Sequence, residues 1–314
     1  MNNKKVLIIG GTGALGQSLI KRYYEDNRIM IFSRDEHKHV NLIKEYDDIE
    51  SHLGDIRDKD AIRNCFNRFK PDVVINTAAL KHVPICETNS IESVKTNILG
   101  HQNVIETIRE FKDIETLIFV STDKACKPIN IYGMCKAISE KLYSNYAETE
   151  IDTKVVMVRY GNVLESTGSV IPYFKQLLKD DSEFLPITHP DMTRFLITLD
   201  DATELIDWTY NHPFSHGKIT VPKIKSMKVV DLANCLIRRY DKVHQVELKV
   251  VGIRPGEKLH EEMISQEEWF RTETHKNYLI NNHNINKDIW SYNSKDTLMD
   301  EIEAYKFLET SGVI

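Results

Sequence analysis

The sequence lacks the features that mark secreted, metal-stapled or membrane-spanning proteins. Its 314 residues include five cysteines, an odd number, and no two of them stand in a Cys-x-x-Cys spacing. This pattern argues against a disulfide framework and against a structural zinc site. No apolar run approaches the roughly 20 residues of a membrane helix. The run Val6–Ile9 is shorter than the core of a signal peptide, which needs about seven residues. We therefore expect a soluble, cytoplasmic protein with reduced thiols.

An excess of positive charge is also missing. The chain has 41 Lys and Arg residues against 47 Asp and Glu residues, a formal charge of −6 that is mixed along its length. Proteins that bind nucleic acid in general carry a basic footprint, so we predict neither nucleic acid nor a membrane surface as a partner. We also predict no metal. Hydrophobic residues make up 41% and charged residues 28%, which is ordinary for a folded globular protein.

Short runs rich in Val, Ile and Phe alternate with longer amphipathic stretches. The predicted strands are Val6–Ile9, Ile29–Phe32, Val73–Asn76, Leu117–Val120, Val155–Arg159 and Ile219–Val221. The predicted helices between and after them are Leu15–Tyr24, Ala61–Phe69, Ile91–Glu110, Tyr132–Ala147 and Asp300–Leu308. Nearly continuous apolar strands are typical of a sheet covered on both faces. The alternation predicts an α/β fold with a doubly wound parallel sheet.

A glycine-rich segment directly follows the first predicted strand and directly precedes a helix. It reads Gly-Gly-Thr-Gly-Ala-Leu-Gly over residues 10–16. Glycines let the backbone turn tightly and approach a pyrophosphate, and the helix N-terminus offers free N–H groups and a positive dipole end. In this context the segment predicts dinucleotide binding. The expected contacts are Gly10, Thr12, Gly13, Ala14, Leu15 and Gly16.

The residues after the next strands bear on which dinucleotide is bound. Ser33 and Arg34 follow the second strand, and a guanidinium suits a 2′-phosphate because the two pair in a forked geometry. Asp35 leaves NAD open, since NAD sites place an acid here to hold the ribose hydroxyls. We favour NADP. Further contacts are expected from Asp55 and Ile56 after the third strand and from Ala78 and Ala79 after the fourth.

The strand Leu117–Val120 delivers Ser-Thr-Asp-Lys, residues 121–124, to the sheet edge where ligands bind in open α/β folds. Tyr132 and Lys136 follow at a spacing of i and i+4, which places them on one helix face. A nearby ammonium lowers the pKa of a phenol, so Tyr132 is predicted to accept a hydroxyl proton during hydride transfer. We expect Thr122 to join them in catalysis.

The adjacent residues Asp123 and Lys124 allow two interpretations, one catalytic and one structural. The like charges of Lys136 and of an oxidised cofactor should lower the pKa of Lys124 towards that of a useful general base. The alternative is a salt bridge between Asp123 and Lys124 with no part in catalysis.

Together these residues resemble the extended short-chain dehydrogenase/reductase superfamily. Within it, they resemble the UDP-N-acetylglucosamine 4,6-dehydratase (inverting) family over nearly the whole chain. The matching motifs are GGTGALG (10–16), FSRDE (32–36), GDIRD (54–58), AALKHVP (78–84), KTNILG (95–100), STDKA (121–125), PINIYGMCK (128–136), RYGNV (159–163), GSVIP (168–172), DMTRF (191–195) and RPGEKLHEEM (254–263). The Asp-Lys pair discriminates best, because retaining sugar-nucleotide 4,6-dehydratases carry Asp-Glu there.

After about residue 163 prolines punctuate shorter elements, which predicts a division of the chain there. We expect a Rossmann NADP-binding domain over residues 1–163, with a returning strand near residues 219–221, and a smaller, mainly substrate-binding domain over residues 164–314. The resemblance implies that UDP-GlcNAc would be oxidised at C4 while Tyr132 accepts the O4 proton. Lys124 would remove the C5 proton and Asp123 would protonate the departing 6-hydroxyl. Return of the hydride to C6 and inversion at C5 would give UDP-2-acetamido-2,6-dideoxy-β-L-arabino-hexos-4-ulose.

The resemblance also implies ligand contacts. The implied substrate contacts are Lys81, Tyr132, Asn162, Val170, Thr188, Arg194, Arg254 and Glu257. The implied further cofactor contacts are Glu36, Lys38, Lys81, Tyr132, Lys136 and Val163. Relatives generally assemble, so a homo-oligomer is expected. The chain departs from the family at Glu165 and Thr167, where Gly and Arg are usual.

Two other functions are compatible with the same fold. One is a UDP-sugar 4-epimerase or a retaining 4,6-dehydratase, and Asp123 with Lys124 argues against both. The other is a non-catalytic NADP-binding regulatory module. Such modules tend to lose the Tyr/Lys pair, which is present here as Tyr132 and Lys136.

Overall fold

The computed structural model describes residues 1–149, 152–166, 168–240, 242, 245–281 and 290–314. Its strands are β1 Lys5–Ile9, β2 Arg28–Ser33, β3 Glu50–Leu53, β4 Val73–Asn76, β5 Thr116–Val120, β6 Lys154–Val158, β7 Asn162–Val163, β8 Phe184–Ile187, β9 Thr193–Ile197, β10 Ile219–Pro222, β11 Ser226–Lys228, β12 Glu247–Val250, β13 Glu262–Ile264, β14 Thr272–Thr274, β15 Tyr278–Asn281 and β16 Tyr292–Asn293. Its helices are α1 Ala14–Tyr23, α2 Glu36–Glu45, α3 Lys59–Phe69, α4 Val83–Thr88, α5 Ser90–Val94, α6 Gly100–Ile108, α7 Ile131–Thr149, α8 Val170–Lys179, α9 Leu199–Asn211, α10 Val229–Arg239, α11 Gln266–Trp269 and α12 Glu301–Thr310.

The main sheet has the strand order β3-β2-β1-β4-β5-β6-β10-β15-β14. The strands from β3 to β10 run parallel, and β15 and β14 add an antiparallel edge. The chain order reverses between β1 and β4, which is the switch point where doubly wound sheets bind ligands. The predicted parallel, doubly wound fold is confirmed. The predicted returning strand Ile219–Val221 is β10, which pairs with β6.

Each central strand buries both of its faces because successive side chains point to opposite sides of the sheet. Val6 and Ile8 of β1 belong to one hydrophobic cluster, which also takes in residues of α1 and α9. Leu7 and Ile9 belong to the other, which takes in residues of α3, α6 and α7. The near-continuous apolar runs in the sequence follow from this two-sided burial.

A third hydrophobic cluster runs from Leu164 to Val313 and is built largely from α8, α10, α12, β8 and β12. This cluster gives the C-terminal half a core of its own. The same half also contributes β10, β14 and β15 to the main sheet and packs α9 against it, and of these the sequence predicted only β10. The two halves are therefore interleaved in the chain.

The predicted helix Ile91–Glu110 is divided into α5, a wider π-helical turn over Lys95–Leu99, and α6. The turn directs the Asn97 side chain onto the backbone of Leu80. Asn97 Nδ2 donates to the Leu80 carbonyl at 2.8 Å, and the Leu80 N–H donates back to Asn97 Oδ1 at 2.8 Å. Single π-turns of this kind often lie at functional sites, and here one fixes the loop that follows β4. None of the helices in the described part of the chain combines the length and apolarity needed to cross a bilayer.

Candidate active site

A cavity of about 1560 Å³ lies at the carboxyl ends of β1, β2, β4 and β5. Pockets for a single small ligand usually measure about 300–1,000 Å³, so this one has room for two ligands side by side. Its wall combines the glycine-rich turn after β1, the turn after β5, the segment around Asn162, and segments of the C-terminal half around Arg194 and Arg254.

Most of the residues predicted from the sequence meet in this cavity. The wall includes Gly10, Thr12, Gly13, Ala14, Leu15, Gly16, Ser33, Arg34, Asp35, Lys38, Ile56, Ala78, Ala79, Lys81, Thr122, Lys124, Tyr132, Lys136, Asn162, Val163, Val170, Thr188, Arg194, Arg254 and Glu257. Three predicted residues do not form the wall. Asp123 is fully buried, Asp55 pairs with Arg57 at 2.6 Å, and Glu36 lies in the first turn of α2. The roles assigned to all these residues stay predictions.

The turn after β1 fits a pyrophosphate. Gly10 has φ of +84°, and a Cβ built there would lie 2.6 Å from Thr77 Oγ1. A Cβ at Gly16 would lie 2.4 Å from the carbonyl oxygen of Gly11, so glycine lets the start of α1 pack against the turn. Gly13, the residue that caps α1, provides no side-chain hydrogen bond to the first turn. The free N–H groups and the positive end of the helix dipole are therefore available to an anion.

The end of β2 carries a chain of hydrogen-bonding side chains. Ser33 Oγ lies 2.9 Å from Thr12 Oγ1 and 2.7 Å from Nε2 of the buried His39. His39 Nδ1 lies 2.5 Å from Ser51 Oγ, and burial lowers the pKa of the ring. The Ser33 hydroxyl at the cavity wall is thus held between Thr12 and His39.

Arg34 and Asp35 differ in how firmly their side chains are engaged. Asp35 caps α2 by accepting from the Lys38 N–H at 3.1 Å, and this hydrogen bond, with the nearby Lys38 ammonium, lowers the pKa of the carboxyl. Arg34 is half-exposed, and its guanidinium lies 3.7 Å from Asp55. Arg34 and Lys38 therefore present positive charge at this end of the cavity.

The turn after β5 is packed against the start of α7. Thr122 begins a short 3-10 turn over Asp123–Ala125, and its hydroxyl accepts from the Lys124 N–H at 3.4 Å. A Cβ at Gly133 would lie only 2.2 Å from the Lys124 carbonyl oxygen, so the helix can approach this closely only because residue 133 is glycine. The approach brings Tyr132 close enough to Thr122 and Lys124 for both to influence the pKa of its hydroxyl.

Lys136 and Tyr132 both respond to burial. Lys136 is 2% exposed. Its Nζ donates to the Val120 carbonyl at 2.7 Å and lies 4.5 Å from the centre of the Phe119 ring. Burial lowers the pKa of Lys136 to about 7 and raises that of Tyr132 to about 12. The predicted lowering of the Tyr132 pKa by Lys136 is therefore wrong for this state. The Lys136 ammonium is itself destabilised, and its hydrogen bond goes to the backbone.

Lys124 is surrounded by oxygen atoms. Its Nζ donates to Asp123 Oδ1 and to Asn162 Oδ1, each at 3.0 Å, and lies 3.5 Å from Glu261 Oε1. Burial works to lower the pKa of Lys124, but the carboxylates of Asp123 and Glu261 outweigh it and raise the pKa above its usual value. The expected lowering of the Lys124 pKa is wrong, because the nearest charges are carboxylates.

Burial raises the pKa of Asp123, although the Lys124 ammonium acts in the opposite direction. Asp123 Oδ1 accepts from Lys124 Nζ and, at 3.0 Å, from the Thr122 hydroxyl. Oδ2 has no hydrogen-bond partner among the described residues. A proton held on Oδ2 would relieve the charge of this buried carboxyl.

Glu261 was missed by the reasoning from sequence, although it lies in the quoted motif RPGEKLHEEM. It is 2% exposed and forms part of the cavity wall. No local pattern could have revealed its contact with Lys124, because the two residues belong to opposite halves of the chain. Sequence reasoning also left Arg159 without a role.

Arg159 is a buried structural link beneath the site. It lies between two carboxylates, with Nη2 2.6 Å from Glu140 Oε2 and 2.9 Å from Glu268 Oε1. Its Nη1 donates to the Met263 carbonyl at 2.6 Å, and Ser121 Oγ donates to Glu140 Oε1 at 2.6 Å. The cluster joins the ends of β5 and β6 to α7 and α11.

The segment that contains Arg254 and Glu257 is anchored to the first half of the chain. Asn130 Nδ2 donates to the Gly256 carbonyl at 2.8 Å, and Glu257 Oε2 accepts from the Arg254 N–H at 3.2 Å. Of the two departures from the family, Glu165 has φ of +54° and pairs with Lys175. Thr167 lies outside the described residues.

Sequence comparison finds relatives along most of the chain. The sequence model of a family described as polysaccharide biosynthesis protein matches residues 6–283. A UDP-N-acetylglucosamine 4,6-dehydratase (inverting) of Campylobacter jejuni is 41% identical over 284 residues, which cover 88% of this chain and 82% of the relative. A UDP-glucose 4-epimerase of Rickettsia massiliae is 35% identical over 286 residues, with the same shares covered.

Solved structures share the fold. Pen from Bacillus thuringiensis superposes with a TM-score of 0.91 at 29% identity, covering 100% of this chain and 99% of that one. A dTDP-glucose 4,6-dehydratase of Streptomyces venezuelae, solved with NAD bound, gives a TM-score of 0.72 at 20% identity and covers 81% and 86% of the two chains. At that identity the second likeness concerns the fold alone.

Proposed function

The chain belongs to the family of polysaccharide biosynthesis proteins, and we propose that it is a UDP-N-acetylglucosamine 4,6-dehydratase that inverts C5. Its product is UDP-2-acetamido-2,6-dideoxy-β-L-arabino-hexos-4-ulose. The observation that carries the proposal is the Lys124 amine on the cavity wall, beside the buried Asp123 and near Tyr132. The pair supplies a base and an acid of different chemical type at one sheet edge.

The reaction needs a nicotinamide cofactor, and we infer that the chain uses NADP. When bound, the nicotinamide accepts a hydride and later gives it back. The turn at Gly10 to Gly16 supports a pyrophosphate, and Arg34 with Lys38 supports a 2′-phosphate at the ribose. Asp35 is engaged as the cap of α2, which leaves it less available to ribose hydroxyls than an acid of the NAD type.

Tyr132 is the proposed acceptor of the O4 proton. Burial raises its pKa, and the charge of Lys124 and the neighbouring Thr122 side chain both act to lower it. These two contacts therefore favour the phenolate that takes the proton. Lys136, which donates to the Val120 carbonyl in the same cavity, is the proposed contact with the nicotinamide ribose.

Lys124 and Asp123 are the proposed pair for the elimination of water. With the proton of the pair on Asp123 and Lys124 neutral, Lys124 takes the C5 proton, and the electron pair of the C5–H bond moves towards the C4 carbonyl. The C6–O bond then breaks and Asp123 gives its proton to the departing oxygen. The raised pKa of the buried Asp123 supports a carboxyl that is protonated before this step.

The decisive experiment incubates the enzyme with UDP-GlcNAc and NADP in deuterated water and follows the product by NMR. The expected product is a 6-deoxy-4-keto sugar with inverted C5 that carries deuterium. A C4-epimerised sugar with its 6-hydroxyl intact would replace the proposal with the epimerase activity for which the Rickettsia relative is named. Retained configuration at C5 would indicate a retaining dehydratase. Cofactor binding without any turnover would indicate a regulatory module.

A Lys124→Ala variant completes this experiment. It should form no 6-deoxy product and incorporate no deuterium at C5, while it still binds the nucleotide sugar. A variant that delivers the C5-inverted ketone at a comparable rate would show that another residue is the base.

A further inference from the structure

The Lys124 ammonium makes two hydrogen bonds and one longer ion pair with oxygen atoms around it. Asp123 and Asn162 accept at 3.0 Å, and Glu261 Oε1 lies at 3.5 Å. Two of the three are carboxylates, so the resting side chain is an ammonium with no free lone pair. A base at C5 must first lose a proton from this arrangement.

Glu261 is held in place from several sides. Its backbone N–H donates to Ser294 Oγ at 2.9 Å. Its carboxylate lies 3.8 Å from Lys258 Nζ and 4.0 Å from Arg194 Nε, both longer than the 3.5 Å to Lys124 Nζ. The carboxylate therefore makes its closest charge contact with the proposed base, and it does so from the C-terminal half of the chain.

We propose that Glu261 is a positioning residue for the Asp123–Lys124 pair, which it holds at the cavity wall and whose working pH it sets. The inference rests on the proposed function for the identity of the base. It assigns to the motif RPGEKLHEEM a role that is separate from substrate contact by Arg254 and Glu257.

The charged and titratable groups that face Lys124 define what Glu261 does. Asp123 lies on the same turn, Tyr132 comes from α7 and Arg194 from β9. The negative charge of Glu261 raises the pKa of Lys124 by favouring the ammonium, and it raises the pKa of Asp123 by opposing a second carboxylate. Both effects have the same sign, so removal of this charge lowers both pKa values.

The test replaces Glu261 with Gln, which keeps the shape and removes the charge. The rate of C5 deuterium incorporation from saturating UDP-GlcNAc is measured against pH. Activity falls at low pH because the pair gains a proton, and in Glu261→Gln this acidic limb should move to lower pH by about 1–3 units, the usual effect of one charge within about 4–6 Å. Cofactor affinity should not change.

The neighbouring carboxylate provides a matched control. Glu262 lies 3.5 Å from Lys127 and is not part of the cavity wall, so Glu262→Gln should leave the profile in place. Glu261→Asp retains the charge at a longer distance and should give an intermediate shift, which guards against a Gln variant that folds poorly.

A second readout does not depend on turnover. In protein labelled with ¹³C at the lysine ε-carbons, the Lys124 resonance, assigned with Lys124→Arg, should titrate at lower pH in Glu261→Gln than in the wild type. This shift of the Lys124 titration is expected even if the product analysis contradicts the proposed dehydratase activity. An unmoved acidic limb together with an unmoved Lys124 titration would overturn the proposal, as would a shift of either to higher pH.

Discussion

At the scale of single residues, two lysines in one cavity are driven in opposite directions by their neighbours. Lys136 has a backbone carbonyl and an aromatic ring around its Nζ, and burial lowers its pKa to about 7. Lys124 has two carboxylates, which raise its pKa despite burial. The difference arises from the presence of compensating charge, because burial alone always disfavours the ammonium.

Replacement of Tyr132 by Phe tests the first proton transfer. The change removes only the hydroxyl, so the 4-keto intermediate should form about 10²–10⁴-fold more slowly, as expected for loss of a positioned general base. Rapid-mixing absorbance at the NADPH band measures this step. Tyr160→Phe, which removes a hydroxyl from the same cavity wall, is the control and should retain most of the rate. Near-normal turnover by Tyr132→Phe would remove the assignment.

Replacement of Arg34 by Ala tests the proposed preference for NADP. Loss of one charged hydrogen bond should weaken NADP binding by about 1–3 kcal/mol and leave NAD binding nearly unchanged. Calorimetric titration with each cofactor measures the difference. Arg57 also contacts Asp55 but lies outside the cavity wall, so Arg57→Ala should affect both cofactors equally. An equal loss for both cofactors in Arg34→Ala would show that Arg34 does not contact the 2′-phosphate.

At the scale of elements, the site depends on how closely α7 approaches the turn after β5. Gly133 is the point of contact, since a Cβ there would clash with the Lys124 carbonyl. The helix carries Tyr132 and Lys136, and the turn carries Thr122 and Lys124. The distance between the two elements therefore sets the geometry of the whole proposed catalytic group.

Replacement of Gly133 by Ala should separate the helix from the turn. A displacement of about 1 Å between catalytic groups can cost about 10² in rate, so kcat should fall by about this factor while the fold persists. Steady-state kinetics and circular dichroism measure the two effects. Met134→Ala, an exposed change on the next residue of α7, should leave kcat close to that of the wild type. Full activity in Gly133→Ala would contradict the close packing described here.

Sequence reasoning reached the elements whose signal is local. The strands of the central sheet follow from their apolar runs, and Asp300 was placed at the start of the last helix, where it caps α12. It missed the pair β14 and β15 at the edge of the main sheet, because a short strand at an edge carries little periodicity. It also missed α9, which packs against that sheet. The Lys124–Glu261 contact and the pKa directions depended on tertiary neighbours, which no spacing in the sequence specifies.

At the scale of the whole molecule, Arg159 links the two halves through buried charges. The guanidinium binds Glu140 of α7 and Glu268 of α11. Burial alone would raise the pKa of Glu268, but Arg159 holds it at about 2. A depressed carboxyl pKa stabilises the fold above the unfolded value of about 4.3, and this contribution is lost as pH falls towards 2.

Replacement of Arg159 by Met should lower the free energy of unfolding by about 3–5 kcal/mol at neutral pH, because the buried Glu140 and the partly buried Glu268 lose their partner. The variant should also lose less stability than the wild type between about pH 4.3 and pH 2. Urea unfolding at a series of pH values measures both. Arg28→Met breaks a solvent-exposed pair with Glu50 and should cost no more than about 1 kcal/mol. A similar loss in the two variants would contradict the role of the buried cluster.

The shared cavity has a consequence for how much reduced cofactor the reaction uses. The glycine-rich turn at Gly10 and the segment around Arg254 border one continuous cavity. Under the proposed function, the hydride taken from the sugar is returned to the same sugar within that cavity. The cofactor is then regenerated in every catalytic cycle and is not consumed. Synthesis of this sugar therefore consumes no net NADPH. Its rate depends on the concentration of the nucleotide sugar and not on the ratio of reduced to oxidised cofactor in the cell.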